Sequence, residues 1–153
     1  MSTCRRCCKK TGVTEAEQPV VYWDASTLVS ALIVDVHTAR AVATAERPVV
    51  HLVSTLAYAE VVAAIARAES LRRLDARRAK AARRLLRDGP WRRLMLQPDW
   101  VVINTLAAQS RLRGADLWHL ASVSTLTRQL PEVRLFSFDD RLAAAAAGLG
   151  LGL

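Results

Sequence analysis

The chain has 153 residues, of which 52% are hydrophobic and 24% charged, enough apolar material for one packed core and too little length for two ordinary domains. Lys and Arg number 22 against 14 Asp and Glu, and the resulting net charge of +8 favours an anionic partner such as nucleic acid. No apolar run approaches the roughly 20 residues of a membrane-spanning helix, and no apolar segment with a cleavage site opens the chain, so a cytoplasmic protein without membrane contact is expected.

Residues 1–18 read as a flexible basic leader, since Arg5, Arg6, Lys9 and Lys10 lie among Ser, Thr, Gly and Gln without periodic apolar positions. Cys4, Cys7 and Cys8 all fall within it. An odd, clustered set of thiols cannot staple a fold, and with no histidine before His37 a zinc site is disfavoured. The folded domain is expected over 19–153. Val20–Trp23 reads as a buried strand ended by Asp24, followed by helices over 25–34 and 37–45. Residues 49–53 form the next strand, Ser54 or Thr55 the N-cap, and 56–68 an almost wholly apolar helix. Residues 71–87 read as an amphipathic helix with Leu71, Leu74, Ala81 and Leu85 on its apolar side and Arg73, Arg77, Lys80, Arg84 and Arg87 along another. Gly89 and Pro90 stop it, and the run from Gly89 to Pro98 carries no assignable motif. Residues 100–103 open either a strand or a helix running to Ser110. A helix over 115–127, a strand over 133–138 and a helix over 141–147 complete the chain.

Continuous apolar strands separated by helices imply a parallel sheet covered on both faces, a three-layer α/β domain. In such a domain ligands meet the crevice at the carboxyl ends of the strands. Four acidic residues draw attention there. Asp24 follows the first strand, Asp139 follows the last, and Asp116 stands at the start of a helix; each could be an N-cap. Glu60 has no such role, because it lies mid-helix with Leu56, Ala57, Ala63 and Ala64 as its neighbours on the same face. It is either an exposed glutamate, a partner of a distant Arg, or one of a set of carboxylates gathered around a cation. All-oxygen ligation suits Mg²⁺ or Mn²⁺, and His37, His51 and His119 stand at no ligand spacing for zinc. Carboxylate-held Mg²⁺ is the chemistry of phosphodiester hydrolysis, so metal-assisted cleavage of RNA or DNA is the expected reaction.

Four segments taken in order, residues 21–28 (VYWDASTL), 54–61 (STLAYAEV), 112–121 (LRGADLWHLA) and 136–142 (FSFDDRL), resemble the PIN-domain nucleases, most closely the VapC-type toxins of bacterial toxin–antitoxin pairs. The resemblance spans about residues 20–149. It implies a three-layer PIN-like fold and a Mg²⁺- or Mn²⁺-dependent endoribonuclease whose metal and catalytic ligands fall on Asp24, Glu60, Asp116 and Asp139. Ser137 matches a small hydroxyl that supports the last carboxylate, Asp140 competes with Asp139 for the fourth place, and His119 matches a frequent family histidine with a supporting role. A cognate antitoxin and a homodimer are implied by the same resemblance.

From Arg67 to Arg93 there are 11 basic residues against Glu69, Asp75 and Asp88. Arg73, Arg77, Lys80 and Arg84 on this stretch are the expected RNA-binding residues, and a solvated helix face or a surface for an acidic antitoxin tail are the alternatives. A receiver-like phosphoacceptor is disfavoured because Asp24 stands alone after its strand, and a D-x-D phosphatase because Ser26 follows it. The rival from another class is a catalytically silent PIN-like RNA-binding or scaffold protein.

Overall fold

Four short runs, mostly apolar, become the strands of one parallel sheet in the computed structural model, which describes residues 18–153. Residues 1–17, with Cys4, Cys7 and Cys8 and nearly all of the expected leader, lie outside the described residues. The strands are β1 (Val20–Trp23), β2 (Val50–Ser54), β3 (Trp91–Leu94) and β4 (Val133–Phe136), in the order β3-β2-β1-β4. Val20 stands opposite Val50 on one side and Val133 on the other, and His51 opposite Trp91. The chain steps from β1 outward to β2 and β3, then returns to add β4 on the far side of β1. The β1/β4 junction is therefore the point where strand order reverses, the place where α/β domains of this kind bind ligands at the carboxyl ends of the strands.

The period-2 geometry of a strand sends alternate side chains to opposite faces. Val21, Trp23, Val53 and Phe136 pack beneath α1 (Ala25–Leu32), α2 (Thr38–Ala45), α3 (Thr55–Ser70) and α4 (Ala76–Asp88). Val20, Tyr22, Leu52 and Leu135 pack beneath α5 (Trp100–Gln109), α6 (Gly114–Leu126) and α7 (Asp140–Gly148). The expected three layers are present. Trp23 is fully buried, and its indole N–H donates to His51 Nδ1 at 3.1 Å while His51 Nε2 meets the Arg47 carbonyl at 3.2 Å. This fixes the Nε2–H tautomer, and burial holds the imidazole below its ordinary pKa, so His51 is a neutral core residue.

Several boundaries differ from expectation for local reasons. The helix expected over 71–87 begins only at Ala76, because Asp75 caps it by accepting the Arg78 N–H at 2.7 Å and the preceding residues form a turn with Arg72 at φ 54°. Its buried face is accordingly Ala79, Ala82 and Leu86, with Ala81 and Leu85 in solvent. The stretch without a motif contains β3, an edge strand whose Arg92 and Arg93 are exposed. The segment left open between strand and helix is helical, capped by Asp99 on the Val101 N–H. The last strand stops at Phe136 because Ser137 and Phe138 turn their polar groups to the β1 end. Beside β4, the Leu135 N–H donates to Leu151 O at 2.7 Å and the Leu153 N–H to Leu135 O at 3.0 Å, so a short extended segment covers that edge.

Candidate active site

Asp24 ends β1 and caps α1, and the structure gives both roles to one carboxylate that is only 4% exposed. Its Oδ1 accepts the Thr27 N–H at 2.9 Å and the Thr27 hydroxyl at 3.0 Å. Ser26 Oγ lies 2.8 and 2.9 Å from its two oxygens, and Ser137 Oγ donates to Oδ2 at 2.7 Å. Three hydroxyls and one amide thus fix a buried anion. None of Asp24, Glu60, Asp116 and Asp139 pairs with Arg or Lys among the described residues.

Ser137 departs from its expected role. Its hydroxyl supports the first carboxylate rather than the last, and it meets Asp139 only by accepting that residue's backbone N–H at 3.0 Å. Asp139 follows β4 and caps α7 through Oδ1, which accepts from Arg141 N at 2.9 Å and Leu142 N at 3.0 Å. Asp140 is the exposed first residue of that helix. Asp116 is not the cap of α6, where Arg113 holds that position; it lies in the first turn. Burial, then the charge of Asp139, raises its carboxyl above the ordinary range, against smaller opposing effects of His119 and Arg113.

Glu60 reaches the same end of the sheet from α3, on the other side of the strands from α6. Its partner is His119 of α6, whose Nε2 stands 3.0 Å from Glu60 Oε2, so neither the distant arginine nor the unpartnered exposed glutamate describes it. His119 is 2% exposed, and its Nδ1 lies 3.0 Å from the hydroxyl of Tyr22, which is fully buried under α6. Burial pushes the Tyr22 phenol above its ordinary pKa, so it remains a donor. In the neutral imidazole Tyr22 O–H therefore donates to Nδ1 and Nε2–H donates to Glu60.

The expected RNA-binding residues separate. Arg73 lines a groove with Glu60, Ala63, Ala64, Arg67 and Leu71. Arg77, Lys80 and Arg84 are exposed on α4, with Arg84 3.8 Å from Asp88, and none contacts the four acids. Sequence reasoning missed Ser26, Thr27, Tyr22 and Arg67. Hydroxyls two and three residues after a capping Asp are a local signal for the first pair; the Tyr22–His119 contact spans 97 residues and leaves none. Among the described residues no three His, Cys, Asp or Glu side chains converge closely enough to hold one ion between them.

No family model matches the chain, and no curated protein matches it in sequence. Among solved structures it is similar to VapC20 of Mycobacterium tuberculosis, described as a sarcin–ricin loop cleaving toxin. The TM-score is 0.56 with 17% sequence identity over 82% of this chain and 94% of that one. The α/β fold with its four-stranded parallel sheet is the PIN-like fold of that neighbour.

Proposed function

We propose that the protein is a PIN-type endoribonuclease that hydrolyses RNA phosphodiester bonds with Mg²⁺ or Mn²⁺, acting in the cytoplasm as the toxin of a toxin–antitoxin pair. Three observations support this reading: Ser137 links Asp24 to Asp139, the charge of Asp139 raises Asp116, and Glu60 is held by His119, which is itself held by Tyr22 of β1. Likeness to a VapC toxin structure supports it. The cognate antitoxin and the homodimer belong to the same proposal.

In the chemistry of their donors, though not in convergence among the described residues, the four acids suit a hard divalent cation. Their donors are all oxygen, Asp139 Oδ2 and Glu60 Oε1 accept no hydrogen bond among the described residues, and Asp116 is held protonated longer than usual partly by the charge of Asp139. Asp24, Glu60, Asp116 and Asp139 would hold it; when bound, such an ion orients the scissile phosphate, acidifies a water and offsets charge on the leaving oxygen. Ser26, Thr27 and Ser137 hold the Asp24 carboxylate in one orientation, so little reorganisation remains for the reaction. His119 aims Glu60 across the sheet end. Arg67 and Arg73 line the groove that leads from Glu60 and are suited to guide phosphates, while Arg77, Lys80 and Arg84 add a longer-range attraction that salt weakens.

The test is cleavage of a mixed single-stranded and structured RNA pool by the purified protein in Mg²⁺ and in EDTA, beside Asp24→Asn and Asp116→Asn. Cutting that needs the metal and disappears in both folded variants supports the reading; cutting that persists in EDTA or in either variant ends it. One observation favours a second reading, a catalytically silent PIN-like RNA-binding protein: the lack of three converging ligand side chains among the described residues. Under that reading the folded protein binds RNA and leaves it whole in Mg²⁺ and Mn²⁺ alike.

A further inference from the structure

Phe138 sits between Ser137 and Asp139, and its backbone N–H donates to Ser26 Oγ at 2.9 Å, the same hydroxyl that lies 2.8 Å from Asp24. Its ring is thus anchored one hydroxyl away from the buried carboxylate. On that ring lies the imidazole of His37, with centroids 4.4 Å apart and planes inclined by 19°. Every other aromatic contact among the described residues is edge-on, from 66° to 88°. An edge-on pair fills core volume, whereas a face-on pair leaves a flat outer surface parallel to the inner one. His37 is exposed, so its outer face is open to water.

The platform is braced. Asp35 accepts the His37 N–H on Oδ1 at 2.8 Å and the Ser30 hydroxyl on Oδ2 at 2.7 Å, while the Asp35 N–H donates to Thr38 Oγ1 at 2.8 Å. This Asx-type turn fixes the loop between α1 and α2 and, with it, the backbone that presents His37. Beside the stack, the guanidinium of Arg40 stands 5.4 Å from the Phe136 centroid and 5.6 Å from that of Phe138. Arg40 has no acidic partner among the described residues, which leaves its charge available to a phosphate. On either side of Asp35 in the loop, Val34 and Val36 are 89% and 91% exposed, an arrangement that does nothing for the core.

We infer that the His37–Phe138 stack receives one unpaired base of the RNA substrate, with Arg40 at the adjoining phosphate. An open aromatic face next to a cation and within one residue of Asp139 has the chemistry of single-strand recognition, in which a splayed base stacks on a ring and its phosphate meets a guanidinium. The inference rests on the ribonuclease reading above, and it adds where the nucleotide beside the cleavage point is held.

The experiment uses the full chain carrying Asp116→Asn, which removes one of the proposed metal-holding carboxylates, so that RNA is bound and not cut. Binding of fluorescein-labelled single-stranded RNA decamers of mixed sequence is followed by anisotropy over a range of salt concentrations. His37→Ala in this background weakens binding about tenfold, the loss of one stacked base. His37→Phe restores it, and the salt slope stays that of the parent because no charge contact is lost. Binding by His37→Ala equal to that of the Asp116→Asn parent, equal weakness of the Ala and Phe variants, or a reduced salt slope overturns the stacking site. In that event Mg²⁺-dependent cutting by the wild type leaves the ribonuclease reading standing; failure of the wild type to cut, together with no RNA binding by the parent variant, removes both.

Discussion

The Ser137 hydroxyl donates to Asp24 Oδ2 at 2.7 Å across 113 residues of chain, and so ties the end of β4 to the end of β1. The same oxygen accepts the Asp139 N–H, which makes one hydroxyl the link between the first and last carboxylates.

Removing that hydroxyl leaves Asp24 one donor short in a buried place. Ser137→Ala is expected to cost about 1.5–3 kcal/mol of stability, the usual worth of a hydrogen bond to a charged group. RNA cleavage should fall with it, since the Asp24 carboxylate then loses one of the four groups that hold its orientation. Urea denaturation and an RNA cleavage assay on the same preparation check both; unchanged stability would show that the bond contributes nothing.

Asp116 is raised in pKa by burial and by Asp139, so the folded chain holds its proton at pH values where the unfolded chain has released it. Above the unfolded carboxylate value the unfolded state binds fewer protons, and stability therefore falls as pH rises through that window. Asp116→Asn removes this slope. The variant is expected to melt above the wild type at neutral pH while losing cleavage, with the difference shrinking toward pH 4. Thermal melts at several pH values read this directly.

The frame of α4 is tested by its two adjacent leucines. Leu86 is 2% exposed and Leu85 is 53% exposed. Leu86→Ala should cost about 2–5 kcal/mol by leaving a cavity against α3 and β3, whereas Leu85→Ala should stay within about 0.5 kcal/mol of the wild type. Equal effects in chemical denaturation would contradict the observed helix register.

What could be read in advance follows from how local each cause is. The strand at Val20–Trp23 and its closure by Asp24 are a short apolar run followed by a capping residue, and both were legible. Ser54 as the cap of α3 was legible for the same reason, and its hydroxyl does accept the Ala57 N–H. β3 was not, because an edge strand reading Trp-Arg-Arg-Leu, with its Arg pair exposed, shows neither alternation nor a continuous apolar run. The face of α4 was misjudged because alanines, weak markers of burial, carry most of it, and the true cap at Asp75 lay inside the expected helix. In the site, the positions of Asp24 and Asp139 after strands were visible. That Glu60 meets His119, and His119 meets Tyr22, depends on two helices from opposite layers converging at the sheet end, a long-range outcome that no spacing in the chain announces.

Both rims of the sheet are closed to growth. On one side the backbone of β4 is engaged by Leu151 and Leu153; on the other, β3 offers only four residues and carries two exposed arginines, Arg92 and Arg93. Like charge facing like charge at that rim disfavours the strand-to-strand stacking by which sheet proteins form fibrils. Any pairing of two copies would then fall to helix surfaces, and crowding at high concentration should not convert the sheet into a polymer.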